Sequence, residues 1–60
     1  MFTKVYYQEC EGNPANLVVN AVFPATAIHT IDKQLLAQEG QWVPFPTEEG
    51  HDYMARVILE

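Results

Sequence analysis

Three side chains in this sequence are of the kinds that ligate soft metals or serve as nucleophile and base: Cys10, His29 and His51. Structural zinc sites show paired ligands at close spacing. Here there is neither a Cys-x-x-Cys nor a His-x-x-x-His, and the three residues fall in separate stretches of chain. A cysteine nucleophile would need Cys10 activated by His29 or His51, with Asp52 orienting the imidazole. No spacing brings those types together, and a cysteine ending a strand behaves as a small hydrophobe. His29 is expected on a helix surface and His51 in a solvated loop. The three glycines lie far apart, which leaves no phosphate-cradling loop. The reading is of a protein without cofactor, metal or catalysis, one that acts by binding.

Two groups of residues suit binding. Trp42, Pro44, Phe45 and Pro46 crowd into five positions. Aromatic rings held by rigid prolines make a pre-shaped anchor, and tryptophan is enriched where interfaces concentrate their energy. The competing reading is that Trp42 folds back to close one end of the core; the two combine if Trp42 is inside and Phe45 out. Glu48 and Glu49 form a carboxylate pair ahead of Gly50. They are expected either as a solvated loop tip or in contact with a partner's Arg or Lys. Tyr6 and Glu9, on the first strand, complete the candidate protein-binding set.

The elements that must position these groups are legible from periodicity. Phe2 to Cys10 reads as a strand, with Phe2, Lys4, Tyr6, Gln8 and Cys10 on one face and Thr3, Val5, Tyr7 and Glu9 on the other. Glu11-Gly12-Asn13-Pro14 is turn chemistry. Leu17 to Phe23 reads as a second strand, apolar on both faces, which predicts a central position or cover on both sides. The connection between these strands is too long for a two-residue hairpin turn. Pro24 ends the second strand. Thr26 is a candidate N-cap for one helix carrying Ala27, Ile28, Ile31, Leu35 and Leu36 on its apolar stripe, with Gly40 as C-cap. Gln41 to Asp52 reads as loop, because closely spaced prolines do not fit a central strand. Tyr53 to Leu59 alternates as a last strand.

Residues 1–60 therefore predict one α+β domain of ββαβ order, a three-stranded, mainly antiparallel sheet with one helix on one face. The first strand belongs in the middle if the last pairs antiparallel to it; the doubly apolar second strand argues instead for a parallel crossover. One helix shields one face of such a sheet. The other face is left with some combination of Tyr6, Cys10, Val18, Val22, Met54 and Ile58, and an exposed apolar area of that size marks an interaction site.

Composition bounds the partners. In a chain of 60 residues, burial and ordering entropy nearly cancel, so stability is expected to be marginal. The single cysteine excludes an internal disulfide and suits a reducing, cytoplasmic setting. No stretch looks like a signal peptide or a membrane span. Three basic residues against eight acidic ones, a net charge of −5, argue against direct nucleic-acid binding and favour a basic partner surface.

Short motifs add a direction. Lys4-Val5-Tyr6-Tyr7-Gln8-Glu9 resembles the opening strand of the small epsilon subunit of bacterial RNA polymerase in Firmicutes. Glu49-Gly50-His51-Asp52-Tyr53, running into Val57-Ile58-Leu59-Glu60, resembles that family's closing segment. The element order, with Trp42-Val43-Pro44 after the helix, is similar to that of the small RNA polymerase inhibitors of T7-like phages. The motifs cover about a quarter of the chain, and residues 13–41 depart from the epsilon pattern. The resemblance implies a phage-type inhibitor or accessory subunit docking on RNA polymerase. A second expectation is an acidic nucleic-acid mimic that inhibits a host defence nuclease of the CRISPR or restriction type. A third is a homodimer through the uncovered sheet face.

Overall fold

The structure, a computed structural model, describes residues 1–45 and 49–60. It is α+β, as the periodicities predict, with an all-antiparallel sheet of four strands in the order β2-β1-β4-β3. Strand β1 spans Lys4–Glu11, β2 Leu17–Pro24, β3 Val43–Pro44 and β4 Tyr53–Leu59. The first strand is central and the last pairs antiparallel to it, so the parallel crossover is excluded.

Three expectations are corrected. First, the sheet has four strands, not three. Val43 and Pro44 pair with Ala55 and Met54 at the sheet margin, where a proline's missing N–H costs nothing. Second, the single helix from Thr26 to Gly40 is instead two pieces. A 3-10 segment runs over Ala25–Thr30 and helix α1 over Lys33–Ala37. Ile31 between them is extended, at φ −84° and ψ 141°. The local competitors of the helix won here: Thr30 Oγ1 donates to the Ala27 carbonyl at 2.7 Å, and Asp32 Oδ1 accepts from the Gln34 N–H at 2.7 Å. Asp32, not Thr26, is thus the side-chain N-cap. Third, β2 is neither central nor covered on both sides. It is an edge strand with most of its residues exposed.

The helical pieces lie on the face built from odd-numbered residues of β1 and β4. Val5, Ala55, Val57, Val43 and Leu35 form the buried core, flanked by Phe2, Tyr7, Ile31, Leu36, Phe45 and Leu59. Gly40 follows α1 at φ +84°, a backbone region that favours glycine, and its N–H donates to the Val57 carbonyl at 2.8 Å. That bond ties the helix exit to β4. No helix among the described residues is long and apolar enough to cross a membrane.

Candidate functional site

The even-numbered residues of β1 and β4 point to the opposite face, which the helical pieces do not cover. Register places Gln8 between Asn20 on β2 and Arg56 on β4. These side chains link into a row across the sheet. Gln8 Nε2 donates to Asn20 Oδ1 at 3.3 Å, and Arg56 Nε donates to Gln8 Oε1 at 2.7 Å. The row ends where the Arg56 guanidinium lies 4.5 Å from the centre of the Trp42 ring, a cation–π contact.

Apolar side chains flank this polar row. On one side Tyr6 sits between Val22 and Ile58, and its hydroxyl donates to Glu60 Oε1 at 3.4 Å. On the other, Cys10 is opposite Met54, and Met54 is opposite Pro44. Cys10 is fully buried, the behaviour of a small hydrophobe. Of the residues expected on the uncovered face, Tyr6, Val22, Met54 and Ile58 lie on it, Cys10 is fully buried instead, and Val18 is set apart by a register shift next to Cys10. The surface is half-apolar with one ordered cation at its middle. It offers stacking, aliphatic contact and hydrogen-bonding groups, with no paired nucleophile and base among the described residues.

Trp42 and Phe45 part company. Trp42 is half-buried outside the core and stacks on Arg56, whereas Phe45 packs against the core from the helical side. This reverses the expectation of Trp42 inside and Phe45 out. The Phe45 N–H donates to the Tyr53 carbonyl at 2.6 Å, which turns the ring towards the helical face. Phe45 there helps line an open hollow of about 400 Å³ together with Tyr7, Phe23, Ile31 and Leu35.

The acidic candidates lie elsewhere. Glu9 is on the helical face of β1, where its carboxylate accepts a short hydrogen bond from the Tyr7 hydroxyl. Burial, then that bond and the carboxylate's charge, pushes the Tyr7 phenol well above its ordinary range. At the same end of the sheet the charges of Glu11, then Glu9 and Glu49, raise the Tyr53 phenol. Glu11 Oε2 is also 3.2 Å from His51 Nδ1. Glu49 therefore belongs to an acidic end rather than to the Trp42 face. Glu48 lies outside the described residues, as does Pro46.

The three residues considered for metal or nucleophilic chemistry are separated. Cys10 is buried in β1, His29 Nδ1 is 3.0 Å from the Thr26 carbonyl, and His51 is beside Glu11. Among the described residues no group of three His, Cys, Asp or Glu could hold a metal ion. Sequence reasoning missed Asn20, Gln8 and Arg56 as a unit. A signal existed: Arg56 breaks an apolar run between Met54 and Ile58, and a lone cation on a strand face must find partners.

No family model matches the chain. No curated protein and no solved structure matches it either.

Proposed function

We propose that this chain is a small acidic protein-binding module that docks through the uncovered face of its sheet, and that its partner is bacterial RNA polymerase, bound as a phage-type inhibitor or accessory subunit. One observation carries the docking reading: Arg56 and Trp42 form a half-buried cation–π pair on the β3 side of a face that also presents Tyr6, Val22, Ile58 and Met54 around Gln8 and Asn20. Arg and Trp dominate interface energetics when their neighbours exclude water. The choice of polymerase is supported by the motif resemblance. Lys4, Tyr6 and Gln8 of the first motif and Pro44 of the third fall on that same face, with Trp42 stacked on its Arg56. In this reading the protein works in the cytoplasm, by binding alone, with no cofactor and no direct contact to nucleic acid.

The test is retention of purified core RNA polymerase from a Firmicutes bacterium on the immobilised chain. The expected result is capture at low salt, weakened at least about tenfold by Trp42→Ala or Arg56→Ala, each removing one half of the cation–π anchor. No retention of polymerase by the folded wild-type chain at low salt would sink the reading.

The gathering of Glu9, Glu11 and Glu49 around Tyr53 favours one alternative, an acidic mimic occupying the nucleic-acid site of a defence nuclease. There, neutralising Glu9, Glu11, Glu48 and Glu49 together weakens inhibition far more than Trp42→Ala does. The polymerase reading predicts the reverse order.

A further inference from the structure

Strand β2 has the composition of an interior strand and the position of an edge strand. Over Leu17–Pro24 it carries no charged residue, in a chain whose net charge is −5. Its apolar side chains are exposed on both faces: Leu17 45%, Val18 53%, Val22 55% and Phe23 39%. A long, uncharged, apolar edge is the feature that soluble proteins avoid or cover.

The direction of its backbone groups follows from one bond. The Ala25 N–H donates to the Thr3 carbonyl at 2.9 Å, so by antiparallel alternation Phe23 and Ala21 exchange hydrogen bonds with β1. Asn20 and Val22 then turn their N–H and C=O groups outward. Pro24, which has no N–H, falls on an outward position. The opposite margin of the sheet is closed. Gly40 N–H takes the Val57 carbonyl, Phe45 N–H takes the Tyr53 carbonyl, and Glu39 Oε2 accepts from the Leu59 N–H at 3.4 Å. The outermost strand there, β3, has two residues, one of them proline. Among the described residues β2 is therefore the one long open edge.

We propose that β2 pairs with β2 of a second copy, antiparallel about a two-fold axis at Asn20, to give a continuous eight-stranded sheet. Two arguments select this occupant. Copies of a strongly acidic chain repel each other, and β2 is the stretch that brings no like charges into contact. The strand is also self-complementary in this register. Asn20 faces Asn20, Val19 faces Ala21 and Val18 faces Val22 of the second copy, while beyond Val18 the register shift carries Leu17 to the face of Cys10, so the complementary stretch is residues 18–22. Because the far margin is closed, the assembly stops at two chains. The dimer also aligns two uncovered faces side by side, independently of what they bind.

The test is sedimentation equilibrium of the full chain from micromolar to millimolar concentration, with amide hydrogen exchange on the same samples. The expected result is a monomer–dimer equilibrium in which the Asn20 and Val22 amides gain protection with concentration, while those of Ala21 and Phe23 are protected throughout. Asn20→Pro and Val22→Lys should each weaken dimerisation by about tenfold or more, with folding checked by circular dichroism. Tyr6→Ser, on the uncovered face but off the edge, should leave it unchanged. A monomer at every concentration overturns the proposal. So does a dimer whose Asn20 and Val22 amides exchange freely, or one that Tyr6→Ser dissolves while the edge variants persist; the exchange result stands even if a variant fails to fold.

Discussion

Arg56 is one of three basic residues in the chain, and its guanidinium is held on both sides, by the Gln8 amide and by the Trp42 ring. A half-exposed cation–π contact contributes about 0.5–1 kcal/mol. Trp42→Ala should therefore lower stability to urea by only about 1–2 kcal/mol, which separates its effect on binding from its effect on folding. Tyr7 gives a second prediction, on pH. Its phenol is raised in the fold, so the neutral form is the stabilised one. The stability this provides is whole below the unfolded tyrosine value near 10 and is lost as pH climbs from there through the folded value. Urea unfolding should show the chain weakening above about pH 10. Tyr7→Phe should flatten that alkaline slope relative to wild type, leaving the same-signed contribution of Tyr53. An unchanged slope in Tyr7→Phe would remove Tyr7 as its source.

At the scale of elements, the helical connection shows a periodic stripe failing to hold one helix. Ile31 and Leu35 do pack on the core, but the backbone breaks at Ile31, where Asp32 starts a new helix with its own side chain. With five residues α1 cannot sustain itself, so its cap and its packing carry it. Asp32→Ala should cost about 1 kcal/mol by thermal or urea unfolding, and Asp32→Ser distinctly less. The same scale explains the short fourth strand. Gln41 to Asp52 reads as loop because its prolines cannot sit inside a sheet. A margin position escapes that rule, so Val43 can be buried opposite Ala55 while Pro44 faces outward.

For the whole molecule, the core is small. Five residues, Val5, Leu35, Val43, Ala55 and Val57, form its buried cluster, and all lie between one sheet face and one short helix. Truncating a buried leucine typically costs about 2–5 kcal/mol, comparable to the total stability of a domain this size. Leu35→Ala should therefore abolish cooperative urea unfolding or shift its midpoint close to zero denaturant. A variant as stable as wild type would mean that the helix is not what closes the core. If β2 pairs with a second copy, wild-type stability should in addition rise with protein concentration, by mass action.

The residues alone determined the strand at Tyr53–Leu59 and the turn chemistry that follows the first strand. These follow from period, turn chemistry and residue type, which are local. Tertiary structure decided that β1 is central, that an apolar strand lies at the edge, that Trp42 stacks on Arg56 and that Phe45 turns to the opposite side. Those outcomes depend on register between segments far apart in sequence, as in the Gln8–Arg56 bond across 48 positions. Alternation along one strand tells which side chains share a face. It carries no information about which neighbour lies beside that strand, or whether any neighbour does.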